Sequence, residues 1–274
     1  MADYSVFPEL TVEREGKDGE IFVVSINRPD RMNAVDPETH RQIGRIWHVL
    51  DRDHDCRVIV FTGKGKAFCA GMDYKRALDK PPAKGEGPIK YRSLRARPGA
   101  SKILDNMMEV EKPIVCMING PALGMGLILA LMCDITVASN DAKLGDTHIN
   151  IGVTPGDGGV LLLPMLVGMN RAKELLLTGD IITGAQAAQM GVVNHAVPPE
   201  ELREYTLNLA AKLASKAPYA MRTAKASLNM IMRRRALDVM DVSHLYEQLA
   251  MRTEDHHEGV RAMAEKREPK FVGR

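Results

Sequence analysis

The sequence predicts an α/β fold on three observations. Short β-branched apolar runs alternate with helically spaced ones through the first half, glycine turns follow two of those runs, and the second half is mostly helical in pattern. Ile21 to Asn27 (IFVVSIN) is strand-like and is closed by Arg28-Pro29. Pro37 to Asp51 repeats Ile43, Ile46, Trp47 and Leu50 at helical spacing, with Asp36 placed as N-cap. Val58 to Thr62 is a strand ended by Gly63-Lys64-Gly65. Ser101 to Val110 is a helix with Ile103, Met107 and Met108 on one side, stopped by Lys112-Pro113. Ile114 to Asn119 (IVCMIN) is the next buried strand, Leu123 to Met132 a small-residue helix opened by glycines, and Ile135 to Ala138 a strand. A turn rich in Gly and Pro follows at Gly152 to Gly159. Beyond residue 160, helices are expected at Arg171 to Leu177, Gly184 to Met190, Pro199 to Ser215, Pro218 to Met232, Ala236 to Met251 and His257 to Arg267, with strand material confined to Val192 to Val197. The division is an α/β core over 1–200 and a helical C-terminal region over 201–274. Met72 to Gly99, with its four prolines, reads as a long loop of the lid or mobile-insert kind.

Composition narrows the function classes. The 274 residues are 45% hydrophobic and 26% charged, enough for a real core and too apolar for disorder. Lys and Arg number 37 against 35 Asp and Glu, a net charge of +2 that argues against a broad nucleic-acid face. Cys56, Cys69, Cys116 and Cys133 form no CxxC pair and sit in or beside apolar runs, as buried free thiols do in a reducing compartment. The N-terminus lacks the pattern of a signal peptide, and the longest apolar run is too short to span a bilayer, so the expectation is a cytoplasmic protein with no membrane partner. Methionine is abundant, 17 residues against a single tryptophan, and most are read as core filler, among them Met107, Met108, Met132 and Met165.

Three glycine-containing turns stand out: KAFCAGMD (Lys66 to Asp73), NGPALGMG (Asn119 to Gly126) and GVTPGDGG (Gly152 to Gly159). None is a phosphate cradle, since neither GxxxxGK[ST] nor GxGxxG is present. Glycine turns at strand ends are usually only turns. Two of them feeding helices also suit a hole of unpaired main-chain N–H groups, which stabilises developing negative charge without a charged side chain.

These blocks, with INRPDRMNAV (Ile26 to Val35), KPIVCMINGPALGMGLILALMCD (Lys112 to Asp134) and EGVRAMAEKREPKF (Glu258 to Phe271), resemble the crotonase (enoyl-CoA hydratase/isomerase) superfamily over nearly the whole chain. The resemblance implies a spiral of ββα units with a C-terminal helical trimerisation region, assembled as a homotrimer or dimer of trimers. It implies an acyl-CoA substrate and no prosthetic group, coenzyme A entering as part of the substrate. The thioester oxygen would lie between the N–H groups of Met72 and Met125. Contacts to CoA are implied for Arg31, Lys66, Ala67, Ala70, Asp73 and Gly124, Asp73 also ordering its loop, while Lys266 and Phe271 would reach a neighbouring subunit's cofactor.

The chain departs from the family at the two glutamates that activate water, which fall on Ile128 and His148. Histidine is a competent acid or base near neutrality, and Asp157, nine residues on, is suited to support it. A His followed by Asp in a PGDG turn is similar to crotonase-fold β-diketone hydrolases, which use such a pair in retro-Claisen cleavage without CoA. His40, His48, His256 and His257 have weaker claims, and no pair has metal-ligand spacing, so no metal is expected. Three readings stay open here: an acyl-CoA hydratase or isomerase working through an enolate, a carbon–carbon hydrolase, and a non-catalytic acyl-CoA binder.

Overall fold

Strands β2 (Ile21–Ile26), β3 (Val58–Gly63) and β4 (Ile114–Ile118) are buried along their whole lengths. Burial of that kind needs cover on both faces, as parallel strands receive in α/β folds. The computed structural model describes residues 2–74 and 99–274. With β1 (Leu10–Glu15), β6 (Ile135–Ser139) and β9 (His195–Val197), these strands form a six-stranded sheet of order β1-β2-β3-β4-β6-β9. Only β1 pairs antiparallel in this sheet; the other neighbours are parallel. Side chains alternate between its faces with period two. Phe22, Val24, Ile26, Ile59, Phe61, Cys116 and Ile118 join the main core with helices α1 (Pro37–Arg52), α2 (Gly99–Glu109) and α3 (Met125–Leu131). Ile21, Val23, Val58, Val60, Val115, Met117 and Val137 face the other way, against Leu202, Ala210 and Ala214 of a later helix. A second sheet of order β5-β7-β8 joins Ala122–Leu123, Lys143–Gly145 and Ile182–Thr183.

The remaining helices are α4 (Gly159–Val167), α5 (Met169–Thr178), α6 (Gly184–Met190), α7 (Leu202–Ala214), α8 (Pro218–Ala250) and α9 (Glu254–Glu265). Asp36 caps α1 as expected, its carboxylate accepting from the Glu38 and Thr39 amides. The four cysteines are free and buried. Among the described residues no helix is long and apolar enough to cross a membrane.

Several expectations are corrected. The two helices read at Pro218 to Met232 and Ala236 to Met251 are one 33-residue helix. The three arginines at 233–235 interrupt the apolar spacing but contain neither Gly nor Pro, and nothing in them stops a helix. Strand material after residue 160 includes Ile182–Thr183 as well as His195–Val197. Met107, Met108 and Met132 are core residues, but Met165 is 46% exposed, because α4 turns that side away from the core. The proposed lid lies almost wholly outside the described residues.

The fold brings two of the glycine turns together. β3 and β4 are parallel neighbours, so the segments leaving their C-terminal ends emerge at the same edge of the sheet. There the Cys69 amide donates to Pro121 O at 2.9 Å and the Leu123 amide to Cys69 O at 3.0 Å. Phe68 anchors the first segment, stacked edge-on against Phe61, which meets Trp47 in the same way. The approach is close enough that a Cβ on Gly126 would lie 2.1 Å from the Cys69 carbonyl oxygen. Backbone cannot move aside as a side-chain tip can, so Gly126→Ala is expected to lower unfolding free energy by about 3 kcal/mol, read from urea denaturation.

Candidate active site

Met72 and Met125 sit on the two segments locked together at this edge. Segment 70–73 is bracketed by Met32 to Val35. The Ala70 amide donates to Met32 O, the Val35 amide to Gly71 O and the Asp73 amide to Val35 O. In that parallel bridge the Met72 N–H is the one not used. Met125 is the first residue of α3, whose N-cap, Gly124, has a φ of 50° and no side-chain cap. The left-handed φ is one that glycine adopts at little cost, and it turns the chain sharply into the helix. Among the described residues neither methionine amide donates to a protein acceptor. Two free donors at adjoining turns, one of them at a helix N-terminus, are suited to hold a developing oxyanion.

His148 opens a short 3₁₀ helix (His148–Ile151) beside this place. A Cβ on Gly124 would lie 3.6 Å from its Cε1 and 3.7 Å from its Nε2, so the imidazole packs against the residue preceding Met125. The ring is held from both ends. Nδ1 is 2.6 Å from Asp146 Oδ1, and Nε2 is 3.4 Å from Asp157 Oδ2. All three side chains are buried. Burial alone would push the His148 pKa down, but the charges of Asp157, Asp146 and Glu247 outweigh it and lift it to about 10. Burial pushes the Asp157 carboxyl up to about 7, against the pull of His148 and with help from Asp146 and Glu247. Both shifts favour the protonated forms, so the surroundings favour a charged imidazole at His148 and a carboxyl at Asp157 that gives up its proton less readily than a free aspartate.

Asp146, His148 and Asp157 present ligand atoms within 4.8 Å of one another. The carboxylates nevertheless face opposite ring nitrogens, and Nδ1 is already committed to the short contact with Asp146. An ion on Nε2 would gain Asp157 and leave Asp146 as an outer partner, so the arrangement suits proton transfer better than metal ligation. Ile128 is fully buried, its Cγ2 2.9 Å from where a Cβ on Gly158 would stand. It offers the site no proton.

The other sequence-predicted residues scatter. Ala67 is buried and Ala70 half-buried within the first segment, while Lys66 is exposed. Arg31 is exposed and 3.7 Å from Asp30. Asp73 orders its loop through Arg28, whose guanidinium lies 3.5 Å from Asp73, 3.4 Å from Asp36 and 3.3 Å from Glu9. Lys266 closes α9 in a left-handed turn, and Phe271 lies on an exposed tail whose amides at Val272 and Gly273 bond to Asp255. Among the described residues no contact joins Lys266 or Phe271 to the His148 group.

Asp146 and Glu247 were missed in the sequence. Asp146 stands two residues before His148, a spacing that lets its carboxylate reach back to the ring, and that signal was available. Glu247 is about a hundred residues away on α8 and carries no sequence signal of its role. His244, one turn earlier, has Nδ1 3.0 Å from Glu247 Oε2, off line for a hydrogen bond.

Comparison with known proteins agrees with this architecture. The family model for enoyl-CoA hydratase/isomerase matches residues 16–274. A crotonyl-CoA hydratase of Syntrophomonas wolfei is 34% identical over 271 residues, covering 98% of this chain and 99% of that protein. A 1,2-epoxyphenylacetyl-CoA isomerase of Escherichia coli is 31% identical over 254 residues, 93% of this chain and 95% of the relative. The crystal structure of an enoyl-CoA hydratase/isomerase from Pseudoalteromonas atlantica superposes with a TM-score of 0.83 at 26% identity, over 96% of this chain and 100% of that one.

Proposed function

The chain belongs to the enoyl-CoA hydratase/isomerase family of the crotonase superfamily, and we propose that it processes an acyl-CoA thioester through an enolate, using His148 and Asp157 in place of paired glutamates. The observation that carries this reading is the imidazole held between two buried carboxylates and packed on Gly124, next to the free amide of Met125. In this scheme the Met72 and Met125 amides receive the thioester oxygen as negative charge moves onto it. Asp157 accepts a proton, from water in a hydration or from carbon in an isomerisation. His148, fixed through Nδ1 by Asp146, returns a proton to carbon from Nε2. Lys66 and Arg31, both exposed, are free to meet the phosphates of CoA, and Lys266 and Phe271 are available to a neighbouring subunit in a trimer. No prosthetic group or metal is assigned a role.

Retro-Claisen cleavage of a β-diketone would require His148 to begin as a base. Its raised pKa supports the donor role instead. A non-catalytic binder would have no use for two buried carboxylates on one buried imidazole with a third, Glu247, close by, a grouping of like charges that is costly to bury. The test is a panel of enoyl-CoA thioesters and free β-diketones, assayed with the wild type, His148→Ala and Asp157→Asn. Turnover of a thioester by the wild type, lost in both variants, is expected. Turnover of a diketone alone would overturn the reading, as would thioester turnover at equal rates by all three proteins.

A further inference from the structure

Around the acid–base pair lies a group of titratable side chains that the scheme above does not use, and α8 supplies its centre. Glu247 is 6% exposed and His244 8%, both nine-tenths or more buried near the end of a long polar helix. The contact with the site runs through Gly156, the residue before Asp157. A Cβ there would lie 2.5 Å from Ser243 O, 2.7 Å from Glu247 Cβ and 3.0 Å from Glu247 Oε2. Only a residue without a side chain lets α8 come so near the turn. Among the described residues Glu247 Oε2, Asp157 Oδ1, Asp146 Oδ2 and both ring nitrogens of His244 are buried without a hydrogen-bond partner. Native proteins rarely leave so many polar atoms unsatisfied in one place unless the place has chemical work.

We propose that Glu247 is a positioning residue of the acid–base pair, bracing the turn that carries Asp157 and setting a third buried carboxylate beside the His148–Asp157 contact. The proposal rests on the assignment of His148 and Asp157 made above. Its physical content is electrostatic. One imidazolium can neutralise one carboxylate, and here Asp146 and Asp157 already flank it while Glu247 adds a third close to the turn. The group is therefore net negative, and removing a proton from either partner adds a further uncompensated charge in a poorly solvated place. The groups within reach of the Glu247 charge are His148 and Asp157 from the site, His40 from α1 and Tyr74 from the end of the first glycine segment, and His244 on its own helix lies 3.0 Å from it. Asp146 adds its charge from the opposite end of the ring. A carboxylate on α8 thus sets the pH at which the pair exchanges protons, without touching the reacting atoms.

The experiment is a histidine NMR titration of the intact protein, free of substrate, from about pH 5 to about pH 11. His148 is assigned by the signal lost in His148→Gln. Glu247→Gln and Glu247→Met are two neutral replacements of similar length, so one of them serves if the other does not fold. The His148 midpoint is expected to fall by about one unit in whichever variant folds. A folded variant whose midpoint stays at the wild-type value overturns the proposal, because a merely structural glutamate would not move it. Glu247→Asp, which keeps the charge, should stay within a few tenths of wild type; a full-unit fall there would also overturn it. Since the readout needs no turnover, an inactive wild type in the substrate panel would sink the functional reading and leave this titration decisive on its own.

Discussion

His148→Gln should lower kcat on the active thioester about a thousandfold in protein that a thermal melt shows to be still folded. Positioned acid–base groups contribute roughly a hundredfold to ten-thousandfold, and among the described residues no substitute donor stands at the other family glutamate position, which is the fully buried Ile128. Glutamine keeps a nitrogen donor of similar reach, so Asp146 and Asp157 retain a neutral partner. What it cannot do is deliver a proton to carbon. The measurement is steady-state kinetics with a thermal melt on the same preparation. A fall of less than about tenfold would place the proton donor elsewhere.

The pH profile is the second large effect. If Asp157 accepts and His148 donates, kcat/KM needs the first deprotonated and the second protonated. Activity should then drop about tenfold per unit below about pH 7 and again above about pH 10. An aspartate and a histidine with ordinary values would place the plateau between about 4 and about 6.5. The limbs belong to the pair as a whole, because the two groups interact strongly. The same shifts govern stability. Both folded-state values lie above the unfolded ones, so each contribution is full below its unfolded pKa and is lost as pH rises through its folded one. The pair therefore sheds stability from about pH 4 up to about pH 10, Asp157 first and His148 later. Thermal melts of the wild type and His148→Gln should converge as the pH rises. A gap that widened with pH would reverse the sign and refute the assignment.

Much of the fold was legible because the central strands are almost wholly apolar. IFVVSI, VIVFTG and IVCMI announce themselves, and Asp36, Gly63 and Pro113 punctuate them. β1 was missed because three of its six residues, Glu13, Arg14 and Glu15, are charged, as suits an edge strand with one solvated face. Helix α4 was missed for the opposite reason. Gly159 to Val167 is nearly all apolar, so it has no helical period to detect, and Pro164 speaks against a helix. The site divides in the same manner. His148 and Asp157 lie in one glycine-rich stretch whose spacing is visible in the chain. Glu247 joins them only because α8 folds back over Gly156, a tertiary fact with no local signature.

The two amides at Met72 and Met125, which donate to no acceptor among the described residues, carry a last consequence. A group that belongs to the backbone is shared by nineteen of the twenty amino acids, and only proline lacks it. Codon changes at these positions can reshape the wall of the pocket while leaving the donor untouched, so alanine scanning would pass over both in silence. On the proposed reading, the part of the machinery that bears the negative charge is the part that mutation can least easily delete. Specificity is then free to drift in the side chains around a chemistry written into the main chain.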